Sequence, residues 1–372
     1  MRFTIACLPG DGIGPEVVGA AKLVLDAVGG AAGHDFVYQD ALIGGASVDA
    51  TGDPLPDETV RLCRRADAVL LGAVGGPRWD DPRARVRPEQ GLLAIRRELG
   101  LFANLRPVAP HPRLASASPL KAELLRDVDF VVVRELTGGI YFGDKSRTET
   151  ATDDVATDLC IYSASEIERV TRVACRLAES RRGKLTSVDK ANVLETSRLW
   201  REVVTRVTRD EFPHLEVEHL LVDACAMHLV MRPATFDVIV TENMFGDILT
   251  DEASVLAGSI GVLPSASVGE SRGGNLPKGL YEPIHGSAPT IAGKGIANPI
   301  GAILSGAMML RISLGLDAEA RAIERAVAET IDSGVATPDL AGGSGRQAST
   351  TDVAESVAQR VGAFLLPERV IV

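Results

Sequence analysis

The sequence lacks the features that would place the protein at a membrane or on nucleic acid. None of its segments approaches the roughly 20 consecutive apolar residues that a membrane-spanning helix needs. The start, MRFTIACLPG, has neither the charged nor the apolar block of a signal peptide. The net charge of -11 would repel nucleic acid and anionic membranes. We therefore expect a cytoplasmic protein that binds neither.

Cysteine is scarce, and its pattern excludes two further classes of protein. The 372 residues contain five cysteines, an odd and scattered set without a CxxC pair: Cys7, Cys63, Cys160, Cys175 and Cys225. Such a set fits neither a disulfide framework nor a zinc site. We expect these thiols to be reduced and mostly buried.

The glycine spacing of the common nucleotide-binding loops is also missing. A strand over residues 3–8 leads into PGDGIGPE, whose glycines at positions 10, 12 and 14 match neither GxGxxG nor a P-loop. The turn either binds phosphate or simply precedes a helix that has Pro15 at its first position. A simple Rossmann assignment is therefore disfavoured.

The elements that are present alternate between strands and helices. With 45% hydrophobic residues, a chain of 372 residues exceeds one hydrophobic core, so two lobes are expected. Buried strands and amphipathic helices alternate, which predicts an α/β fold. Residues 135–163 predict a hairpin arm that pairs with another subunit. The segment 261–299, rich in Gly, Pro and Ser, predicts an ordered loop.

The stretch TENMFGDILTDEASVL, residues 241–256, is the strongest candidate for a metal site. It follows a buried strand, and Gly246 marks the predicted turn into a helix. Asp247 and Asp251 are four residues apart, so one helical turn places both carboxylates on one face, where they can share a hard cation. The alternative is one aspartate favoured by the helix dipole and a second that is merely solvated.

Other charged residues follow predicted strands or lie near them. Arg106 stands at the start of an extended stretch, Arg134 ends a strand, Lys190 follows one, and Asp223 begins a helix after another. Together with Arg96 on a short helix, the arginines would suit a polycarboxylate, although each alone is more often a surface residue. Open α/β sheets bind ligands at the carboxyl ends of their strands, and this clustering favours a functional site.

Seven motifs in this order resemble the β-decarboxylating dehydrogenase family, in its 3-isopropylmalate branch: LPGDGIGPE, GLLAIRRELGLFANLRPV, RELTGGIYFG, VDKANVLE, FGDILTDEAS, LPSAS and YEPIHGSAPTIAGKGIANP. The resemblance covers nearly the whole chain. It implies a two-lobed fold that is not a Rossmann fold. The expected domains are a cofactor-side domain of residues 1–101 and 258–372, and a central metal and dimerisation domain of residues 102–257 whose arm spans about 140–163.

The resemblance also implies a reaction, a homodimer with shared active sites, and roles for particular residues. The reaction is NAD- and Mg- or Mn-dependent oxidative decarboxylation of 3-isopropylmalate to 2-oxo-4-methylpentanoate, in leucine biosynthesis. The implied catalytic residues are Tyr141 and Lys190, and the implied metal ligands are Asp223, Asp247 and Asp251. The implied substrate residues are Arg96, Arg106, Arg134, Leu92, Leu93 and Val193. The implied cofactor residues are Ile13, Gly76, Glu89, His285, Gly286, Ser287, Ala288, Thr290, Ile291 and Asn298.

The chain departs from the family pattern at the expected ribose site. NAD-using relatives carry an aspartate where this chain has Thr290, and NADP-using isocitrate relatives carry cationic and tyrosine side chains where it has Ile291, Pro338 and Gly342. NAD is therefore expected with weakened selection, and NADP is less expected. The arm segment 151–162 also differs from the usual sequence. A related enzyme for another 2-alkylmalate, D-malate or tartrate stays open, as does a non-catalytic regulatory subunit.

Overall fold

The structure, a computed structural model, describes residues 1–81, 84–150, 152–271, 276–340 and 347–365. Its strands are β1 Arg2–Gly10, β2 Asp35–Asp40, β3 Ala68–Ala73, β4 Ala103–Val108, β5 Phe130–Glu135, β6 Lys145–Glu149, β7 Asp154–Asp158, β8 Lys184–Asp189, β9 Glu216–Leu221, β10 Val238–Thr241, β11 Pro264–Val268 and β12 Gly279–Pro283. Its helices are α1 Gly14–Ala32, α2 Gly44–Thr51, α3 Asp57–Arg65, α4 Pro88–Glu98, α5 Ala164–Glu179, α6 Glu195–Glu211, α7 Val222–Met231, α8 Asn243–Ser254, α9 Ile300–Ile312, α10 Asp317–Asp332 and α11 Thr350–Leu365.

The chain divides into two compact units. The first unit comprises Met1–Leu101, His111–Pro119 and Ala257–Val372. Its strands follow the order β2-β1-β3-β12-β11, and all neighbours are parallel except β11 and β12. All six residues of β3, AVLLGA, are buried, as expected of a parallel strand that is covered on both faces.

Helix α1 shows how the sequence sets the limits of an element in this unit. Pro15 occupies the first turn, where its missing N–H costs no hydrogen bond, and Gly33 ends the helix in the left-handed conformation at φ 71°. Between them Val17, Val24 and Val28 are fully or almost fully buried. The apolar face of α1 therefore belongs to the core of the unit.

The second unit comprises Phe102–Pro110 and Leu120–Leu256. Its strands follow the order β4-β5-β10-β8-β9, with β4 antiparallel to β5 and the other neighbours parallel. Every residue of β5 and of β10 is buried, and the rings of Phe130 and Phe236 meet edge to face at 6.0 Å. The α/β fold class is thus confirmed.

The predicted hairpin is present as strands β6 and β7. They pair antiparallel from Lys145 opposite Asp158 to Glu149 opposite Asp154, and all ten residues are exposed. A two-stranded hairpin without a buried face is at best marginally stable alone. The pairing of this arm with another subunit stays a prediction.

The prediction of an ordered loop over 261–299 was wrong in part, because β11 and β12 lie within it. Their sequences, PSASV and GLYEP, contain proline, glycine and small residues, which are poor strand formers. They form strands because each pairs with the other, and β12 also pairs with β3. Arg106 likewise lies inside β4 as its fourth residue, and not at the start of an extended stretch.

The cysteines and the helices of the described residues bear on two expectations from composition. The five cysteines are all free thiols, four of them buried and Cys160 half-buried. Among the described residues, no helix combines the length and apolar content that crossing a bilayer would require. Gly342, one of the positions at which NADP-using relatives differ from this chain, lies outside the described residues.

A buried aspartate ahead of β10 generates a prediction about stability. The Asp237 carboxylate accepts hydrogen bonds from Arg181 Nε at 2.8 Å and from the backbone N–H of Arg182 at 2.9 Å. We expect Asp237→Ala to lower the free energy of unfolding by roughly 3 kcal/mol, because it leaves these donors unsatisfied. Urea unfolding checks this. The control Asp210→Ala removes an exposed ion pair with Arg209 and should leave the midpoint almost unchanged; equal shifts would contradict the prediction.

Candidate active site

The two aspartates of the central motif lie on helix α8, in the second unit. The helix begins at Asn243, directly after β10, so the prediction of Gly246 as the turn before the helix was wrong. Gly246 is the fourth residue of α8, and a Cβ there would lie 2.6 Å from Cγ of Arg134. The glycine is required because the arginine side chain crosses the helix at this point.

Arg134 connects the end of β5 to α8. Only 3% of the residue is exposed, and its Nε and Nη2 donate to Oδ1 of Asn243 at 3.1 and 2.8 Å. Its Nη1 donates to Oδ1 of Asp247. The register that aligns Arg134 with Thr241 of β10 brings the guanidinium to the first turn of α8. The structure thus assembles residues that stand more than a hundred positions apart.

Tyr141 completes the contacts of Asp247. Its hydroxyl donates to Oδ2 of Asp247 at 2.8 Å. Burial and then the hydrogen bond to Asp247 raise the pKa of Tyr141 to about 12. The phenol therefore stays protonated at neutral pH, which is the form that donates a proton.

Arg106 approaches the same carboxylate from β4. Its Nε donates to Oδ1 of Asn104 at 2.7 Å, and its Nη1 donates to the hydroxyl of Thr250 on α8. Its Nη2 lies 4.0 Å from Oδ1 of Asp247. Two buried guanidinium groups therefore adjoin the aspartates, as recognition of a carboxylate ligand requires.

The two aspartates of α8 have opposite electrostatic settings. Burial acts to raise the pKa of Asp247, but the charges of Arg134 and Arg106 and the Tyr141 hydrogen bond outweigh it, so the pKa is lowered. The pKa of Asp251 is raised, by burial first and also by the negative charge of Asp247. Two carboxylates one helical turn apart are suitable oxygen ligands for a hard divalent cation.

Lys190 and Asp223 form a separate pair in this unit. Lys190 follows the last residue of β8, and its Nζ donates to Oδ1 of Asp223, the second residue of α7. The hydrogen bond from Lys190 lowers the pKa of Asp223. The nearby Val193 side chain is 61% exposed. Within the described part of this single chain, no three His, Cys, Asp or Glu side chains form a group that could hold a metal.

The remaining substrate candidates lie in the first unit, on α4. Arg96 is buried, and its Nη2 donates to Oε1 of Glu282 on β12 at 2.6 Å. Leu92 and Leu93 are half-buried, and Leu92 packs against the apolar cluster of the unit. Arg96 therefore has a fixed position, set by an acidic partner in the same unit.

The cofactor candidates in the first unit meet around two loops. The backbone N–H of Ile13 donates to the carbonyl of Ser287 at 2.9 Å, and a Cβ at Gly75, beside Gly76, would lie 2.6 Å from Oε1 of Glu89. His285 is buried, and burial lowers its pKa, so the imidazole is neutral at pH 7.

In the same loop, a buried ring nitrogen of His285 lacks a hydrogen-bond partner within the part of the chain that the structure describes. Nε2 of His285 makes no hydrogen bond to the described residues, although Nδ1 lies 2.9 Å from the Gly286 carbonyl. Beyond it, Ala288 adopts a positive φ of 38°, Thr290 is exposed and Ile291 is half-buried. Asn298 is buried and donates to Asp339 at 3.0 Å. An unsatisfied ring nitrogen fits a ligand that carries a hydrogen-bonding heterocycle.

Sequence reasoning missed the polar residues that hold the arginines. Asn243 holds Arg134, Asn104 holds Arg106, and Glu282 holds Arg96. Asn104 and Arg106 are two residues apart in one strand, so they share a face, and this spacing was a usable signal. The other two pairings join distant segments and have no local signature.

Comparison with known proteins agrees with these motifs. The family profile described as isocitrate/isopropylmalate dehydrogenase matches residues 4–357. The chain is 58% identical to the 3-isopropylmalate dehydrogenase of Geobacillus kaustophilus, over 96% of this chain and 95% of that protein. It is 55% identical to the 3-isopropylmalate dehydrogenase of Bacillus subtilis, over 100% of this chain and 99% of the relative.

Solved structures show the same fold. The isocitrate dehydrogenase of Methylococcus capsulatus superposes with a TM-score of 0.84 at 37% identity, covering 96% of this chain and 99% of that one. A beta-decarboxylating dehydrogenase of Thermococcus kodakarensis gives a TM-score of 0.76 at 39% identity, with 96% of both chains covered. The chain therefore belongs to the isocitrate/isopropylmalate dehydrogenase family.

Proposed function

We propose that the protein catalyses the NAD- and divalent-metal-dependent oxidative decarboxylation of 3-isopropylmalate to 2-oxo-4-methylpentanoate, a step of leucine biosynthesis. The carrying observation is the arrangement of Asp247 between the Arg134 guanidinium and the Tyr141 hydroxyl, with Arg106 4.0 Å away. In this arrangement the two arginines would recognise a carboxylate, Asp247 would bind the metal, and Tyr141 would donate a proton. The names of the relatives at 55% and 58% identity support the substrate.

The arginines would bind the two carboxylates of the malate unit. Arg106 and Arg134 are buried and oriented by Asn104 and Asn243, so little side-chain entropy is lost when they bind. Arg96 would be the third ligand, oriented by Glu282. Leu92 and Leu93, with the partner subunit's Val193, would contact the isopropyl group, since each buried methylene contributes about 0.8 kcal/mol.

Asp247 and Asp251 would bind Mg or Mn together with the partner subunit's Asp223. The donor set fits, because carboxylate oxygens are the preferred ligands of hard cations, and the raised pKa of Asp251 reflects in part repulsion from Asp247. A cation between them would relieve that repulsion. When bound, it supplies Lewis-acid stabilisation of the negative charge that develops on the substrate oxygens.

Proton transfers fall to Lys190 and Tyr141. Lys190 would accept the proton of the substrate 2-hydroxyl, directly or through water. Bound NAD would supply the acceptor for the hydride of C2. The resulting β-keto acid loses its carboxylate as carbon dioxide. Tyr141 would then donate its proton to the enol carbon, and its pKa of about 12 keeps that proton in place until it is needed.

NAD would occupy the first unit, with NADP the lesser alternative. Nε2 of buried, neutral His285 has no hydrogen-bond partner among the described residues, which fits a hydrogen bond to the adenine. The residues that would contact the rest of the dinucleotide are Ile13, Gly76, Glu89, Gly286, Ser287, Ala288, Ile291 and Asn298. Thr290 would face the adenosine ribose. Its hydroxyl is neutral, so it binds the ribose less strongly than a carboxylate does.

A homodimer would complete each site. Helices α7 and α8, with the residue that follows α8, expose large apolar side chains, namely Met227, Val230, Met231, Ile248 and Val255. Apolar side chains grouped on adjacent helices suit a buried interface between subunits. Lys190 and Asp223, which pair with each other within one chain, would then act in the neighbouring subunit's site.

A substrate panel tests the proposal. Purified protein would be assayed with 3-isopropylmalate, other 2-alkylmalates, D-malate, tartrate and isocitrate, each with NAD and with NADP and with Mg or Mn. We expect the highest kcat/KM for 3-isopropylmalate with NAD. A higher value for D-malate, tartrate or isocitrate would contradict the proposed substrate, and no turnover of any would contradict an enzymatic role.

The proposed base leads to a prediction for Lys190. We expect Lys190→Ala to lower kcat by about 10² to 10⁴-fold with a smaller effect on substrate KM, because a base acts mainly in the transition state. The control is Lys184→Ala at the start of the same strand, where Nζ lies 3.5 Å from the carboxylates of Glu216 and Glu218. Steady-state kinetics of both variants provide the measurement, and an unchanged kcat for Lys190→Ala would remove it from the mechanism.

Shared sites lead to a prediction for mixtures of inactive variants. Lys190→Ala and Tyr141→Phe protein should each be nearly inactive alone and regain activity after subunit exchange, because each heterodimer then has one site with both residues intact. Tyr141→Phe mixed with Asp247→Asn is the control, since both residues would belong to one chain and no intact site can form. Recovery in the control, or none in the test after demonstrated exchange, would contradict shared sites.

The departure at position 290 leads to a prediction for cofactor choice. We expect the natural protein to prefer NAD modestly, and Thr290→Asp to raise kcat/KM for NAD by about tenfold, equivalent to about 1.4 kcal/mol, because a carboxylate accepts charge-assisted bonds from both ribose hydroxyls. Thr290→Asn, of similar shape without the charge, should give a smaller gain. A natural preference for NADP, or no gain in the aspartate variant, would contradict the proposed contact.

A further inference from the structure

Asp11, in the PGDGIGPE turn, is a buried aspartate that is not among the proposed ligand contacts. The residue is 5% exposed, and its carboxylate accepts three backbone hydrogen bonds. Oδ2 accepts from the N–H of Gly45 and of Gly75, and Oδ1 accepts from Ala46, each at 2.7 Å. One carboxyl group thus holds the start of α2 and the loop after β3 together.

The turn that carries Asp11 is itself held by backbone contacts. The N–H of Asp11 donates to the carbonyl of Ala73 at 2.7 Å, and Ile13 donates to Ser287 at 2.9 Å. A Cβ at Gly12, where φ is 57°, would lie 2.0 Å from the Ser287 carbonyl. The turn therefore has a fixed position between the loop after β3 and the loop after β12, so Asp11 is a rigid attachment point.

Gly75 is confined on both sides. Its N–H is bound to Asp11, and a Cβ on it would lie 2.6 Å from Oε1 of Glu89. Its φ of 99° is open to glycine but strained for other residues. Gly76 and Glu89 are both proposed cofactor contacts. A displacement of Gly75 would move Gly76, its neighbour in the chain, and would alter the packing against the Glu89 carboxylate.

We propose that Asp11 is a positioning residue for the dinucleotide, which it serves by fixing the Gly75 loop beside Glu89. The inference rests on the proposed use of NAD and names a residue that does not itself contact the ligand. Without the carboxylate, the Gly75 loop loses its attachment and samples other positions, so binding NAD must reorder it. Binding of 3-isopropylmalate should depend on this loop far less, because Arg106 and Arg134 belong to the second unit and Arg96 is held by Glu282.

Two substitutions separate attachment from folding. Asp11→Ala removes all three acceptor bonds. Asp11→Asn keeps two of them when its amide oxygen takes the place of Oδ2, including the bond from Gly75, but these bonds lose the assistance of the negative charge. The effect should therefore be graded, with the asparagine variant closer to the natural protein. Asp53→Ala is the matched control, because Asp53 also accepts one backbone N–H, from Leu55 at 2.9 Å, on a loop without cofactor candidates.

Calorimetric titration with NAD, and separately with 3-isopropylmalate plus Mg, provides the test, together with hydrogen exchange of the Gly75 amide in the ligand-free protein. For Asp11→Ala we expect the Kd of NAD to rise about tenfold or more, equivalent to at least about 1.4 kcal/mol, with that of 3-isopropylmalate almost unchanged. Exchange at Gly75 should accelerate. Asp11→Asn should recover most of both losses, and Asp53→Ala should change neither.

Several results would overturn the inference. These are an unchanged Kd for NAD in Asp11→Ala, equal weakening of both ligands, or an asparagine variant as impaired as the alanine variant. Should Asp11→Ala fail to fold, Asp11→Asn alone decides: unchanged exchange at Gly75 and an unchanged Kd for NAD would overturn it. A natural protein that binds no NAD would overturn the proposed function first and this inference with it, whereas failure in the variants alone overturns only the role of Asp11.

Discussion

The ion pair between Arg134 and Asp247 is the interaction on which the candidate site of the second unit depends. A guanidinium that is almost fully buried is tolerated because Asn243 and Asp247 accept its hydrogen bonds. The pairing orients the carboxylate so that its other oxygen meets the Tyr141 hydroxyl. Removing Asp247 would take away the carboxylate that the buried Arg134 guanidinium contacts, which is costly because a buried charge needs a counter-charge. The same contact thus stabilises the packing of α8 on β5 and presets the proposed metal ligand and proton donor.

The first unit depends on a different constraint, which is the close approach of backbone segments and not an ion pair. Glycines at positions 10 and 12 allow carbonyl groups to approach where a Cβ would collide with them, at 1.9 Å from Ala73 and 2.0 Å from Ser287. The close approach brings the loops that carry the cofactor candidates to one turn. PGDGIGPE has no phosphate-loop spacing, yet the structure gives each of these glycines a steric reason. The turn was interpreted either as a phosphate-binding loop or as a tight turn before a helix. The close backbone contacts of its glycines support the tight turn.

Local patterns predicted the elements well where burial and period agreed. The apolar runs of β3, β5 and β10 were recognisable, as were the aspartates of α8 one turn apart, because side-chain period follows directly from backbone geometry. The local patterns failed to predict β11 and β12, because the small residues and prolines of these strands are typical of a loop. Strand partners supply the missing stabilisation there, and partners far along the chain are invisible to local propensity.

By itself, the sequence determined the family, the α/β class and the chemical types of the candidate residues, because long motifs and residue types are local properties. Only the tertiary structure decided that Arg134 would meet Asn243, that Gly246 would sit inside a helix to let that arginine pass, and that Asp11 would hold Gly75. The two hydrogen bonds among these contacts join residues that are 64 and 109 positions apart. Strand register and close backbone approach set them, and neither property is encoded in the residues of any one segment.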